Sequence, residues 1–257
     1  MATALITGGT SGIGFAFAQE LAARGRDLVL VARDTARLEK VAADLHETHG
    51  IEVEVITADL SDRADMMRIA ERLEDLSRPV DLLINNAGFG LHSTALNPDE
   101  IELNASAIEV MCVAVFILSG AAARAMKTRG HGQILTVASS SSSIFSGNYS
   151  AIKAWARTFS NSLALELSGT GVTATALLPG WVKTEFHERA GINASKLPGF
   201  VWIDQVKLVR TALDDSAKGR FESVPDWKWK IALFVGDHGP RALTRWFSKK
   251  LTASRKH

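Results

Sequence analysis

Tyr149 and Lys153 stand four residues apart, shortly after a run of five serines from Ser139 to Ser143. On a helix that spacing puts both side chains on one face, one turn apart. A free phenol titrates at a pH of about 10, and an adjacent ammonium lowers that by roughly one to three units, enough for proton exchange near neutrality. Such pairs also arise by chance on helix surfaces. Here the tyrosine is the only one among 257 residues, so generous use of tyrosine as core filler does not explain it. A serine hydroxyl nearby could stabilise an oxygen on which charge develops, the need of general acid catalysis at a carbonyl. Taken alone, the serine run reads first as a polar connector.

The elements ahead of this pair offer a place for a phosphate. Ala4 to Ile6 predicts a short apolar strand, which runs into Thr7-Gly8-Gly9-Thr10-Ser11-Gly12-Ile13-Gly14 and then an Ala-rich helical pattern from Phe15 to Arg24. Glycines let the backbone turn sharply and approach a ligand, and the helix presents unpaired N–H groups and its positive dipole end. This suits a pyrophosphate, although glycines also mark plain turns. Asp27 to Ala32 predicts the second strand, with a continuous apolar run from Leu28 to Val31 of the kind buried in parallel sheets. Where a dinucleotide fold reads the ribose, a carboxylate suits a free 2′-hydroxyl and an arginine suits a 2′-phosphate. The sequence has Ala32-Arg33 there, which favours NADP(H), with NAD(H) as the lesser alternative. Asp34 reads as the cap of a helix reaching His49.

The third strand is expected from Val53 to Thr57, followed by Asp59, which either faces an adenine or caps a helix starting near Ser61. Asp81 to Ile84 predicts the fourth strand, ending in Asn85-Asn86-Ala87-Gly88, a sequence suited to a close ligand approach or to a simple turn. Ile134 to Val137 predicts the fifth, with Ser139 at its carboxyl end, and a helix follows from Tyr149 to about Leu167. Val172 to Leu178, stopped by Pro179-Gly180, predicts the sixth strand; a helix near Asp204 to Leu213 precedes a seventh at Gly219 to Val224. Alternating strands and helices predict an α/β fold: a Rossmann-type, doubly wound, seven-stranded parallel sheet with helices on both faces, in a single domain. Residues 1–224 would form the dinucleotide-binding domain with its site, and residues 225–257 a C-terminal basic and aromatic extension.

Composition narrows the functional classes. The formal net charge of +1 argues against a global nucleic-acid footprint, so no nucleic-acid partner is expected. The lone Cys112 excludes an internal disulfide framework and reads as inert packing. His46 and His49 read as solvated residues favoured by a helix end rather than as metal ligands. The amino terminus shows no secretory pattern, and the expectation is a cytoplasmic protein. The uncharged stretch Val110 to Ala123 spans fourteen residues, too few for a membrane span, and reads as a buried or subunit-contacting helix. The aromatic and cationic tail, Trp227-Lys228-Trp229-Lys230 and Arg241 to Lys256, reads as a solvated helix or subunit contact ahead of a peripheral membrane contact.

The glycine loop Thr7 to Gly14, Asn85-Asn86-Ala87-Gly88, Ser139, Tyr149 with Lys153, and Pro179-Gly180 with Thr184 together resemble the short-chain dehydrogenase/reductase family, in its order and over residues 1 to about 190. The resemblance implies NAD(P)(H)-dependent hydride transfer between a ketone and a secondary alcohol. In it Tyr149 is the acid/base, Lys153 holds the nicotinamide ribose and tunes the phenol, and Ser139 contacts the substrate oxygen. It implies cofactor contacts at Gly8, Thr10, Ser11, Gly12, Ile13, Arg33, Asp59, Leu60, Asn86, Ala87, Gly88, Tyr149, Lys153, Pro179, Gly180, Val182 and Thr184, and a homodimer or homotetramer. No metal is implied. Two departures stand out. Met111 occupies the place of a further asparagine that supports a proton relay in the family, and a thioether donates no hydrogen bond. Asn104, seven residues earlier, lies about 10 Å away along a helix and cannot replace it without a register change. The ten residues from Ser139 to Tyr149 also make a shortened loop, which leaves Ser140 or Ser141 as rivals for the hydroxyl role. Phe89, Leu91, Phe145, Trp181 and Phe186 flank the expected site and suggest an apolar acyl-, steroid- or lipid-like substrate, although core packing explains some of them equally. The alternative is an NADP-binding regulatory or scaffold protein of this fold with weakened catalysis.

Overall fold

The computed structural model describes residues 2–91, 93–182 and 199–253. Its centre is β1 (Thr3–Thr7), a five-residue strand whose successive side chains point to opposite faces. Leu5 faces one apolar core and Ile6 the other. Both are fully buried, so the strand must be apolar at every interior position, as a strand covered on both faces requires.

Seven strands lie in the order β3-β2-β1-β4-β5-β6-β9, all pairs parallel. These are β2 (Asp27–Ala32), β3 (Val53–Thr57), β4 (Leu82–Asn85), β5 (Gly132–Val137), β6 (Val172–Leu177) and β9 (Glu222–Ser223). The expected sheet is present, with the seventh strand only two residues long. A second ribbon pairs β7 (Trp181–Val182) with β8 (Trp202–Ile203), and the sequence did not suggest it.

One face carries α1 (Gly12–Ala23), α2 (Thr35–His49) and α7 (Gln205–Ala217), through Phe17, Leu38 and Leu208. The other carries α3 (Arg63–Glu74), α5 (Ala114–Arg129) and α6 (Gly147–Glu166), through Met66, Leu118 and Leu163. Asp34 caps α2 as expected, accepting from the Arg37 N–H at 3.0 Å. For α3 the expectation is corrected. Asp62 is the cap, accepting from the Asp65 N–H at 3.0 Å, and Asp59 instead accepts from the N–H and hydroxyl of Ser61 in the preceding turn.

The uncharged stretch lies in a longer helical run: α4 (Ile101–Ile108), a π-helical turn at Glu109–Val113, then α5. By length and composition this run could cross a membrane, but half of its most apolar window is buried in the protein and α5 packs on α3 and the sheet. It is a core helix. The tail forms α8 (Trp227–His238) and α9 (Arg241–Ala253).

The chain adds β2 and β3 on one side of β1 and then returns to place β4 on the other. Adjacent crossovers therefore leave in opposite directions at the carboxyl ends of β1 and β4, where open α/β sheets bind ligands.

Candidate active site

At that switch point the two strand ends are tied together. The Thr7 hydroxyl oxygen accepts from the N–H groups of Asn86 (2.9 Å) and Ala87 (3.0 Å), and the Asn86 amide donates to the Thr7 carbonyl at 2.9 Å. Gly14, in the first turn of α1, packs on the Gly8 carbonyl and the Asn86 amide so closely that a Cβ there would collide with both. The first turn of α1 holds no acidic residue. The loop is thus a tight, acid-free cradle beside a helix N-terminus, which fits a pyrophosphate.

A cleft of about 990 Å³ runs from this loop across the sheet edge. Every expected site residue within the described structure lines it: Gly8, Thr10, Ser11, Gly12, Ile13, Arg33, Asp59, Leu60, Asn86, Ala87, Gly88, Ser139, Tyr149, Lys153, Pro179, Gly180 and Val182. Thr184, along with Phe186, lies outside the described residues. Phe89, Leu91 and Trp181 also line the cleft, whereas Phe145 does not. The residue is 52% exposed, and its N–H donates to the Ser248 hydroxyl at 3.0 Å.

Tyr149 and Lys153 sit one turn apart near the start of α6, with the Lys153 Nζ 5.7 Å from the centre of the tyrosine ring. Ser139, at the end of β5, hydrogen-bonds the phenol. Ser141 backs it, donating to the Ser139 oxygen through both its N–H (3.1 Å) and its hydroxyl (3.0 Å). Of the three candidate serines, Ser139 is therefore the one in contact with Tyr149, held by its neighbour. The Ser140 N–H donates to the Pro179 carbonyl at 2.9 Å, which joins this loop to the Pro179-Gly180 turn.

The electrostatics correct the sequence expectation. Burial pushes the Tyr149 phenol well above its usual range, and the Ser139 hydrogen bond offsets this only in part. Burial also lowers Lys153 to about 8, with Cys112 opposing slightly. In the protein without cofactor, desolvation of both groups outweighs their pairing. The Lys153 ammonium donates to the Val137 carbonyl at 2.8 Å. Met111 is 1% exposed in the π-helical turn, its sulfur against Gly88, and brings no donor to the lysine. Asn104 is committed elsewhere: its carbonyl oxygen accepts from Ser93 (2.8 Å) and from Asn148 (2.9 Å). Desolvation raises the Cys112 thiol to about 11, in keeping with inert packing.

Three features escaped the sequence reading. Arg37 lines the cleft one turn after Arg33, a spacing that could have been noticed. Trp229 of α8 lies over Gly180 so closely that any Cβ there would collide with the indole. Arg157 of α6 bridges Glu222 (2.7 Å), Asp237 (2.8 Å) and the Ser143 hydroxyl (3.0 Å), which ties β9 and α8 to the serine loop. The last two contacts join residues 14 to 80 positions apart, and no local pattern announces them.

Comparison with known proteins decides the family. The family model for short chain dehydrogenases matches residues 2–194. The chain belongs to the short-chain dehydrogenase family. It is 34% identical over 200 residues to the 3-oxoacyl-acyl-carrier-protein reductase of Escherichia coli K12, an alignment covering 74% of this chain and 80% of the relative. Its fold superposes on a short-chain dehydrogenase from Sphingobium yanoikuyae in complex with NADPH, with a TM-score of 0.81 and 34% identity, over 90% of this chain and 91% of that one. A bulky-bulky ketone specific alcohol dehydrogenase from Comamonas testosteroni matches with a TM-score of 0.78 and 29% identity, over 90% of each chain. As a member of this family the chain is an NAD(P)-binding oxidoreductase acting on the alcohol–carbonyl couple.

The lowered Lys153 gives a signed pH dependence. In the cofactor-free protein the fold favours the neutral amine, and the unfolded chain takes up its proton at higher pH. Between pH about 8 and 10.5 the unfolded state therefore binds more protons, and stability from this group rises with pH; below pH about 8 the benefit is gone. Denaturant melts of the wild type and Lys153→Met across this window should show the wild type gaining on the variant as pH rises. A constant difference would refute the desolvation account.

Proposed function

We propose that this enzyme is an NADP(H)-dependent carbonyl reductase or alcohol dehydrogenase for an apolar ketone and its secondary alcohol. The observation that carries the reading is the single cleft that gathers the glycine loop, Arg33, Ser139, Tyr149 and Lys153. NADPH in the cradle would supply the hydride. As charge builds on the substrate oxygen, the Ser139 hydroxyl and the Tyr149 phenol stabilise it by donating hydrogen bonds, and the phenol then releases its proton to form the alcohol. A phenol kept protonated by its surroundings is ready for that direction. Lys153, buried behind it, donates to the Val137 carbonyl; it would also donate to the ribose hydroxyls of a bound cofactor and would supply positive charge once the tyrosine had given up its proton. The lone thiol is consistent with a reducing, cytoplasmic setting.

Preference for the phosphorylated cofactor is supported by the adenosine end of the cleft, lined by Arg33 and Arg37 with Ala32 beside them, while the Asp34 carboxylate is engaged as a helix cap. An apolar substrate is supported by Phe89, Leu91, Trp181 and Leu233 along the cleft, and a ketone by the bulky-bulky ketone specificity named for the Comamonas relative. Subunit pairing is supported by exposed apolar side chains on α5 and α6, where Phe116 packs on Phe159 with ring centroids 5.7 Å apart. There Phe116 is 60% and Leu165 66% exposed, and Trp155 stacks on Phe159 at 4.9 Å. A second reading, a cofactor-binding protein with weakened catalysis, is favoured by Met111 alone. Tight NADPH binding without turnover of any apolar ketone would select it.

Three outcomes test the proposal. Tyr149→Phe should lower ketone turnover by about 10²- to 10⁴-fold and leave NADPH affinity within a small factor, with KM in the wild type falling as ketones become more apolar; undiminished turnover removes Tyr149 from the chemistry. Arg33→Ala should shift the NADPH-to-NADH affinity ratio by about tenfold toward NADH, the equivalent of one lost charged contact at about 1.4 kcal/mol. An unmoved ratio assigns the discrimination elsewhere. Phe116→Asp should reduce the mass measured by light scattering toward that of a single 27.7 kDa chain, and a wild type already monomeric would end the oligomer reading.

A further inference from the structure

The carboxyl-terminal helices carry two kinds of surface. The inner side of α8 belongs to the site: Leu233 is buried with Ala138 and Leu178, and Trp229 covers Gly180. Its outer side is just as apolar. Trp227, Ile231 and Phe234 are 65%, 55% and 64% exposed, and their spacing of four and then three residues makes one stripe along the helix. At 100° per residue, Lys228 and Lys230 fall on either flank of that stripe. A helix apolar all round is ordinarily buried all round, and α8 is covered on one side only.

The next helix extends the surface. Among the α9 side chains described, Thr244 and Ser248 are buried, and Trp246, Arg245 and Lys249 face outward, with Trp246 59% exposed. The chain's charge is divided along its length. Residues 225–257 hold eight Lys and Arg against two Asp, a net +6, so the preceding 224 residues carry −5 of the overall +1. The two acids do not neutralise this surface, since Asp226 caps α8 and Asp237 is paired with Arg157.

We propose that the outer face of α8 and α9 docks the protein on an anionic lipid surface, with the mouth of the substrate cleft beside the contact. Exposed Trp, Phe and Ile flanked by cations are the chemistry of a helix lying in a membrane interface, where rings enter the headgroup boundary and Lys and Arg meet lipid phosphates. A second copy of the chain is a poorer occupant. A two-fold contact places the same patch against itself, setting Lys228, Lys230, Arg245 and Lys249 near their own copies, and the exposed apolar side chains on α5 and α6 already suit self-association without charge. Ala232 and Val235 of α8 both line the cleft and are themselves exposed, so the apolar path into the cleft begins at this surface. An apolar ketone held in lipid would enter there, a corollary that rests on the function proposed above. The docking itself does not.

Co-sedimentation of the intact protein with phosphatidylcholine vesicles, with and without phosphatidylglycerol, tests the docking independently of turnover. Partition into the anionic vesicles should exceed that into the neutral ones by at least tenfold at low ionic strength and be lost at high salt. The pair Ile231→Glu with Phe234→Glu, and separately Arg245→Glu with Lys249→Glu, should each reduce it tenfold or more, while melting temperature with NADPH stays unchanged. Absent or equal partition into both vesicle types overturns the proposal. So does binding to an acidic protein but not to vesicles, or a change in oligomeric mass on replacing Phe234.

Discussion

Everything at the active edge depends on the hydrogen bonds that tie the end of β1 to the end of β4. A single side chain, Thr7, takes two backbone N–H groups from the neighbouring strand's turn, and the Asn86 amide returns a bond to the Thr7 backbone. Leaving such groups unpaired in a buried strand end costs on the order of 1–3 kcal/mol each. The bonds do more than stabilise. They set the Asn-Asn-Ala-Gly turn against Gly8 and Gly14, so the phosphate cradle and the floor of the cleft form one rigid unit. On the next strands outward, the Ser140 to Pro179 bond does the same for the serine loop and the turn after β6. The site is a row of such links across strand ends.

Against this rigid edge, the reactive pair is governed by burial. Simple charge pairing would make Tyr149 more acidic, yet removal from water acts on both groups in the direction of neutrality. Burial therefore favours the protonated phenol and lowers the lysine to about 8. The anionic dinucleotide that the cleft fits would bring phosphate charge and ribose hydroxyls into this space and favour the ammonium again. Met111, with no hydrogen-bond donor, is buried in the apolar cluster against which Tyr149 packs.

Much of the fold and site was legible in the sequence because its signals are local. Apolar runs such as Leu28 to Val31 can only be strands covered on both faces; the strand, glycine loop and helix of residues 4–24 form one contiguous word; and Tyr149 and Lys153 lie within a single turn. Failures came where the deciding contact is distant or depends on depth. Phe145 reads as pocket lining but lies half-exposed outside the cleft, its N–H bonded to the Ser248 hydroxyl of α9 more than a hundred residues later. The burial that raises the Tyr149 pKa was not legible, because spacing along a helix says nothing about solvent. The π-helical turn at Met111 left no mark either, since its residues are ordinary helix formers that shift one backbone register.

The clamp at Arg157 has a consequence for the life of the chain before it is an enzyme. Its guanidinium sits on α6, but its partners Glu222 and Asp237 come 65 and 80 residues later, and the helix that bears Asp237 also roofs Gly180. During synthesis the sheet from β1 to β6 can form first, and in that interval the arginine is an unpaired cation next to the serine loop. Only when residues 227–238 emerge from the ribosome do the guanidinium, the hydroxyl row and the roof settle together. A nascent chain can therefore own its cofactor cradle before it owns a closed place for the substrate.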